Sequence, residues 1–202
     1  MRKIIFSLIS AIVCTSLAAN AQKTNAHSED PIYIYGKIKD IEPENITRLR
    51  VKKCKKCDSL PDEIFKYTNL QELICQNGKL NVLNSQISDL KNLRILNISR
   101  NKLVRLPESL GELSELQTLI INRNKIESLP ESIGKLHKLE LIDAWNNPLY
   151  SLPQSIAKLS NTLKVIDIRQ VPIRDSELEA MEKLLPKTEI KYTSICECEN
   201  DR

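Results

Sequence analysis

The part of the chain that decides its fold is a run of three sequence lines that follow one another in the same frame. They read LRILNISRNKLVRLPESLGELSE (93–115), LQTLIINRNKIESLPESIGKLHK (116–138) and LELIDAWNNPLYSLPQSIAKLSNT (139–162). The lines begin at Leu93, Leu116 and Leu139, so the sequence repeats every 23 residues. Repetition at such a period predicts a stack of similar structural units.

The same frame extends in both directions along the chain. It fits LQELICQNGKLNVLNSQISDLKN (70–92) and, with one inserted residue, ITRLRVKKCKKCDSLPDEIFKYTN (46–69), and a divergent sixth unit begins at Leu163. Each unit contains a pair of apolar residues spaced as in L-x-L, and their side chains share one face of a strand because successive residues alternate sides. Pro107, Pro130 and Pro153 each predict the first position of a short helical turn. Stacked strand-and-turn units would bury a core that no single unit could form.

The matching residues resemble a known family. In the unit that begins at Leu93, the pattern L-x-x-L-x-L-x-x-N/C-x-L is matched by Leu93, Leu96, Ile98, Asn101 and Leu103. The chain therefore resembles the leucine-rich-repeat family, and its LPESLGEL and LPESIGKL segments resemble the 23-residue subclass of Ras-suppressor-type and bacterial proteins. This resemblance implies an α/β solenoid bent into a horseshoe arc. Parallel strands would line its concave face, and short helical or 3₁₀ turns its convex face.

The N-terminus predicts export. Arg2 and Lys3 precede an apolar run (4–17), and Ala19-Asn20-Ala21 offers small residues for cleavage before Gln22. The alternative is a lipoprotein modified at Cys14. The predicted divisions are a signal peptide (1–21), a disordered leader (22–30), an N-terminal cap (31–45), five leucine-rich repeats (46–162), a divergent sixth repeat with a C-terminal cap (163–193) and an acidic tail (194–202). The mature protein would be periplasmic, secreted or on the surface of a bacterial cell, with no membrane span.

The C-terminal cap contains a further helix signal. Ser176 and Glu179 fit an S-x-x-E capping box that would open a helix running to about Leu185. Pro186 would end this helix, and TEIKYT (188–193) would supply a last edge strand.

Several residues read as structural. Asn101, Asn124 and Asn147 occupy the asparagine position of the repeat and form a predicted structural Asn ladder, in which buried amides satisfy backbone groups. Cys75 fits an inward strand position and Cys54 fits the asparagine position, so both read as small buried apolar residues. The positions equivalent to Gly111 and Gly134 hold other residues in other repeats, which predicts ordinary helical backbone there.

The composition offers little for catalysis. The chain has two histidines and four glycines, and it contains no nucleophile elbow, phosphate-binding loop or H-x-x-x-H zinc motif. The pairs Cys54/Cys57 and Cys196/Cys198 are too far apart in the repeat frame for one zinc site, although a disulfide within either pair stays open. The net charge of +4 is small for a nucleic-acid-binding domain. We therefore expect no enzyme activity, no metal, no cofactor and no nucleic-acid partner.

The candidate site is the outward side of the strands. Because Ile142 and Ala144 take inward positions, Trp145, the only tryptophan, should face solvent on the concave side, although its ring could instead fold onto Leu141 and shield the sheet. Trp and Arg dominate binding hot spots. The predicted partner-binding residues are Trp145, Asp143, Asp167, Arg169, Arg123, Asn122, Ile120, Arg100, Asn97 and Gln76. The predicted function is an exported, non-enzymatic module that recognises a protein or peptide ligand, in an oligomeric state that the sequence leaves open.

A basic segment of the first repeat suggests an alternative function. Arg48, Arg50, Lys52 and Lys53 could form an anion patch that binds host matrix or an anionic polysaccharide, as in a surface adhesive or structural protein. The other interpretation is a charged edge that discourages sheet-to-sheet aggregation.

Overall fold

A computed structural model describes residues 31–38, 41–51, 58–171 and 173–193. The predicted signal peptide, leader and acidic tail lie outside these ranges, and so do Lys52, Lys53, Cys54 and Cys57.

The described residues form one parallel sheet. Its eight strands follow one another in chain order, and each pairs with the next. They are β1 (Tyr33–Ile34), β2 (Arg48–Arg50), β3 (Glu72–Ile74), β4 (Ile95–Asn97), β5 (Thr118–Ile120), β6 (Leu141–Asp143), β7 (Val165–Asp167) and β8 (Glu189–Lys191). Between consecutive strands the described residues form a 3₁₀ turn or, once, an α-helix, and this arrangement confirms the predicted α/β solenoid.

The segments between the strands are mostly 3₁₀ turns. These turns are Pro43–Asn45, Asp62–Lys66, Ser85–Asp89, Glu108–Glu112, Glu131–Lys135 and Gln154–Leu159. One α-helix, α1 (Asp175–Leu184), connects β7 to β8 within the described residues. A 3₁₀ turn rises faster per residue than an α-helix, so one short turn returns the chain to the next strand.

The core lies between the sheet and the layer of turns. The register aligns Leu73, Leu96, Leu119 and Ile142 across four neighbouring strands, and each of these side chains is fully buried. The apolar residues of the 3₁₀ turns, such as Ile133, belong to the same continuous cluster. Since each repeat contributes one layer to this cluster, stability comes from contacts between neighbouring repeats.

The prolines precede the turns rather than starting them, which corrects the sequence prediction by one residue. Pro107, Pro130 and Pro153 have extended backbone (ψ 150°, 150° and 147°), and each 3₁₀ turn begins at the following residue. The carbonyl of each proline accepts the N–H three residues on, as from Leu110 to Pro107 at 3.0 Å. The fixed proline φ therefore orients the chain for its entry into the turn.

Gly111 and Gly134 are required by close packing between successive turns. Both have ordinary backbone in 3₁₀ turns, as expected. A Cβ atom on Gly111 would overlap the backbone carbonyl of Ser132, and one on Gly134 would overlap that of Ser155. Each glycine thus lets the next repeat approach more closely than an alanine would.

The helix α1 begins differently from the sequence prediction. Its N-cap is Arg174, and the backbone N–H of Arg174 donates to the Glu177 carboxylate at 3.0 Å. The box predicted from Ser176 and Glu179 is therefore wrong, because the helix starts before Ser176 and places Glu177 at its third position. Ile173, just before the cap, packs against the core and sets this entry point.

Candidate binding surface on the parallel sheet

The outward side of the sheet presents two columns of side chains. The register aligns the first column, at the last residue of each strand, across β3 to β7. Its members are Ile74, Asn97, Ile120, Asp143 and Asp167. The second column lies two residues further along each repeat and consists of Gln76, Ser99, Asn122, Trp145 and Arg169. We call these two columns the outer sheet surface.

Trp145 lies on this surface and is partly buried. Ile142 and Ala144 on either side of Asp143 are fully buried, so the side chain of Trp145 points away from the core. The Arg123 guanidinium lies over the ring at 4.5 Å from its centroid. Such a cation–π contact contributes about 0.5–1 kcal/mol at an exposed site. The ring is therefore held in place by the preceding repeat, rather than standing freely in solvent as the sequence frame suggests.

Asp143 is a carboxylate with an unusual environment. Its Oδ2 accepts a hydrogen bond of 2.6 Å from the Asn122 amide. Its buried Oδ1 has no hydrogen bond of ordinary geometry from any described residue. Burial raises the pKa of Asp143 to about 6; the Asn122 hydrogen bond opposes this increase, and the Asp167 carboxylate adds to it. The backbone N–H of Trp145 and the Arg169 guanidinium also lower this pKa. The sheet thus holds an acid that is only partly satisfied beside its sole tryptophan.

Asp167, one strand further along, is satisfied by its own repeat. The Arg169 side chain donates through Nε to Oδ1 at 3.0 Å and through Nη2 to Oδ2 at 2.7 Å. The Arg169 backbone N–H also donates to Oδ1 at 3.2 Å. This two-pronged contact fixes both side chains, and Asp167 is only 7% exposed.

Asn97 and Asp167 are buried, contrary to the expectation that both would be open to a ligand. Asn97 is 7% exposed, and its Oδ1 accepts hydrogen bonds from the backbone N–H and the hydroxyl of Ser99, which is itself 4% exposed. Neighbouring parallel strands lie about 4.8 Å apart, so short polar side chains on the outward side are covered by adjacent ones. The side chains of both residues therefore lie beneath the accessible surface, where neighbouring side chains cover their polar groups.

The other predicted site residues remain accessible to different degrees. Gln76, Ile120 and Asn122 are half-buried, whereas Arg100 and Arg123 are exposed. The accessible part of the outer sheet surface therefore concentrates around Asn122, Trp145 and the two arginines.

The backbone that follows each strand has a feature that the sequence analysis missed. The residue after the second column has positive φ in five successive repeats: Asn77, Arg100, Arg123, Asn146 and Gln170, with φ between 54° and 56°. Asn is enriched in this left-handed region, so the asparagines at two of these positions were the available signal. This conformation turns the chain out of the sheet. The side chains at these positions therefore lie along the edge of the sheet where the strands end.

The three repeat asparagines hold this turn together. Asn124, for example, donates to the carbonyls of Ile98 and Ile121 at 3.1 and 2.8 Å, and its Oδ1 accepts the N–H of Leu103 at 3.1 Å. Asn101 and Asn147 make equivalent contacts, and all three side chains are at most 9% exposed. Each amide therefore connects backbone groups of two adjacent repeats.

The basic segment of the first repeat is only partly available for anions. Arg48 forms an ion pair with Glu72 through Nε at 2.5 Å, and both side chains are largely buried. Arg50 is exposed. The ion pair neutralises Arg48, which is one of the four cations of the predicted anion patch. Lys52 and Lys53 lie outside the described residues.

Other chemistry is limited among the described residues. Cys75 is a free thiol that is 2% exposed, and burial raises its pKa to about 11, so it behaves as the expected small apolar residue. The described ranges contain no group of three or more potential metal ligands. Within the same ranges, no helix has the length and apolar character needed to cross a membrane.

Comparisons with known proteins agree with this geometry. A family model described as leucine rich repeat matches residues 91–149. A Listeria monocytogenes internalin of known structure is 17% identical, with a TM-score of 0.56 over 75% of this chain and 43% of its own. The plant peptide hormone receptor RGFR1 in complex with RGF2 is 24% identical, with a TM-score of 0.56 over 72% of this chain and 23% of the receptor. A leucine-rich-repeat protein from Leptospira interrogans is 29% identical, with a TM-score of 0.38 over 66% of this chain and 46% of its own.

The repeats and the parallel sheet together define a leucine-rich-repeat solenoid. The leucine-rich-repeat family model matches residues 91–149, and the solved structures of similar fold include a bacterial internalin. The chain spans less than half the length of each of these three structures. The comparison with curated proteins gave no match.

Proposed function

We propose that this protein binds a protein or peptide ligand through the outer sheet surface, with Trp145 at the centre of the contact. The observation that carries the proposal is the arrangement around this ring. Trp145 is the only tryptophan, it points away from the core, and Arg123 holds its position. Asp143, whose buried Oδ1 accepts no ordinary hydrogen bond from the described residues, lies two positions away. A partly exposed tryptophan ring held by an arginine is typical of a binding hot spot, since Trp and Arg are the residues enriched there.

The class of protein supports the same proposal. Leucine-rich-repeat folds typically serve as non-catalytic binding modules, and the receptor RGFR1 is a peptide hormone receptor solved in complex with RGF2. The likeness to that receptor concerns the fold, so the ligand of this chain is proposed from its own surface.

Export is part of the proposal. The basic head, the apolar run and Ala19-Asn20-Ala21 support a signal peptide cleaved before Gln22, and the repeat spacing supports the 23-residue bacterial subclass. The ligand would then be met outside the cytoplasm of a bacterial cell. N-terminal sequencing of exported protein should begin at Gln22, and a lipid-modified Cys14 at the terminus would contradict the soluble form.

Affinity measurements with selected peptides test the binding surface. Peptides are selected from a random library on the wild-type chain, and their affinities are then measured for Trp145→Ala and for the control Tyr150→Ala. Tyr150 is 57% exposed and lies outside the outer sheet surface, so the control removes an aromatic ring that is more exposed than Trp145 but lies away from the proposed contact. Trp145→Ala should weaken binding about thirtyfold, which corresponds to a hot-spot loss of about 2 kcal/mol.

Unfolding midpoints of the same variants separate binding from stability. Trp145→Ala should remain folded, because the ring lies outside the apolar core. Selected peptides that bind Trp145→Ala as tightly as the wild type, but lose affinity for Tyr150→Ala, would contradict the proposal and place the binding surface around Tyr150.

A further inference from the structure

A row of exposed cations runs along the edge of the sheet where the strands end. We call this set the cation ladder: Lys79, Lys102, Lys125, Arg100 and Arg123. All five side chains are exposed. The ladder adjoins the outer sheet surface, because Arg123 is the residue that covers Trp145.

Backbone hydrogen bonds between repeats fix the spacing of the ladder. Lys102 N–H donates to the carbonyl of Leu80 at 2.7 Å, and Lys125 N–H donates to that of Leu103 at 2.8 Å. The three lysines therefore occupy the same position in successive repeats, about 4.8 Å apart. Arg100 and Arg123 repeat in the same way at the left-handed position. The ladder thus presents two parallel columns of positive charge.

The entering edge of the same sheet is built differently. There, lysines are paired with carboxylates of an adjacent repeat: Lys91 with Glu112 at 2.9 Å, Lys138 with Glu115 at 2.6 Å and Lys164 with Glu140 at 2.7 Å. None of the five ladder cations forms an ion pair with a described residue. Asp58, Glu127 and Asp143 lie near the ladder in the repeat frame, and none of them forms an ion pair with it among the described residues. Since like charges at this spacing repel, an anionic partner would relieve a repulsion that the chain neutralises on its other edge.

Two exposed valines follow lysines of the cation ladder in the chain. Val104 follows Lys102 by two residues, and the fully buried Leu103 lies between them, so Lys102 and Val104 both face solvent. Val82, three residues after Lys79 and one position further along its repeat than Val104, is 56% exposed. A polypeptide can cover these valines with its own apolar side chains while its carboxylates contact the cations. A phosphate or sulfate polymer would leave the valines exposed to water.

The short length of the cation ladder also favours a peptide partner. Three lysines span about 10 Å, which matches about three residues of extended peptide. Nucleic acids and charged polysaccharides gain affinity from many contacts along a long backbone, and a ladder of this size provides few. The net charge of +4 is also small for such a partner.

We infer that the cation ladder binds an acidic, partly apolar peptide segment of the ligand, with carboxylates on the ladder and apolar side chains on Val82 and Val104. This inference rests on the proposed function in taking the ligand to be a protein or peptide. The inference adds that one segment of this ligand is acidic and that it lies on the cation ladder, next to Trp145.

The test uses a fluorescein-labelled peptide of alternating Glu and Val, with heparin-derived oligosaccharide and single-stranded oligonucleotide as competing probes. The ladder variant combines Lys102→Glu and Lys125→Glu. The control combines Lys66→Glu and Lys158→Glu, which changes the net charge equally but at exposed positions in the 3₁₀ turns. The ladder variant should lose at least about tenfold in peptide affinity, and the control should change it by about twofold or less. The affinity of the wild type should fall as salt rises.

Two results would overturn the inference. One is an equal loss in the ladder variant and the control, which would mean binding by net charge alone. The other is tighter, ladder-dependent binding of the oligosaccharide or the oligonucleotide. Trp145→Ala is measured in parallel with the selected library peptides, so that the two proposals can fail separately. If Trp145→Ala leaves those peptides bound while the ladder variant loses the Glu-Val peptide, the proposed function fails and the ladder stands.

Discussion

Replacing Asp143 by asparagine should stabilise the protein in a way that depends on pH. Burial raises the pKa of this carboxyl to about 6, whereas it titrates near 3.8 when unfolded. Between these values the folded chain keeps a proton that the unfolded chain has lost, so stability falls as pH rises from about 4 to about 6. Above about pH 6 both states are ionised, and the full cost of the buried charge is present.

The size of this cost follows from the pKa difference. A rise from 3.8 to about 6 corresponds to about 3 kcal/mol at neutral pH, since one pKa unit is about 1.4 kcal/mol. Asp143→Asn removes the charge and keeps an acceptor for the Asn122 amide. An amide is tolerated at this level of the sheet, because Asn97 occupies the equivalent place two strands away. The variant should therefore be about 1–3 kcal/mol more stable than the wild type above neutral pH, with little difference near pH 4.

Urea unfolding, followed by circular dichroism at several pH values, measures this difference directly. Asp167→Asn is the matched control: it breaks the two-pronged contact with Arg169, so it should destabilise the protein by about 1–3 kcal/mol instead. Other titrating groups are common to wild type and variant and largely cancel. If Asp143→Asn is destabilising, or if its effect is the same at pH 4 and pH 8, the buried Asp143 charge does not cost the stability that its raised pKa implies.

Two further predictions concern the contacts between repeats. Asn124→Ala leaves the N–H of Leu103 and two carbonyls without their partner, so it should cost about 3 kcal/mol, against about 1 kcal/mol for Asn122→Ala. Urea midpoints in the opposite order would disprove the assignment of these two positions. Gly111→Ala should cost about 1–3 kcal/mol, because its Cβ would overlap the Ser132 carbonyl. Ala157→Gly, at the equivalent position, should cost at most about 1 kcal/mol, and thermal melts that rank the two equally would refute the close-packing argument.

The inward half of the fold could be predicted from the sequence because the repeat is itself a structural constraint. Leucine and isoleucine recur at the same phase, and only one face of a strand can bury both members of an L-x-L pair. Leu96, Leu119 and Ile142 accordingly align in the core as the period requires. A shift of one residue would have turned this column to solvent.

The burial of side chains on the outward side of the sheet could be predicted less well, because it depends on residues of the adjacent strands. Alternation along one strand tells which way Asn97 points, but not that Ser99 and the adjacent strands cover it. The same limit applies to Asp167, whose burial follows from the way Arg169 folds back over it. The pairing of Arg48 with Glu72 also joins two repeats, so inspection of the first repeat alone suggested a free cation.

The left-handed residues connect these surfaces to the energetics of the fold. Five successive repeats among the described residues turn out of the sheet at positive φ, where glycine would be the least strained choice and a residue with a Cβ costs about 1–2 kcal/mol. This chain instead places Arg100 and Arg123 there, at φ 56° and 54°. Strained backbone is maintained where surrounding structure enforces it and tends to occur at functional sites. Arg123 belongs to both proposed surfaces, since its guanidinium covers Trp145 and is also one of the five cations of the cation ladder. Because the same φ recurs at Asn77, Asn146 and Gln170, the turn itself accounts for the backbone conformation, and the guanidinium over Trp145 is what distinguishes Arg123.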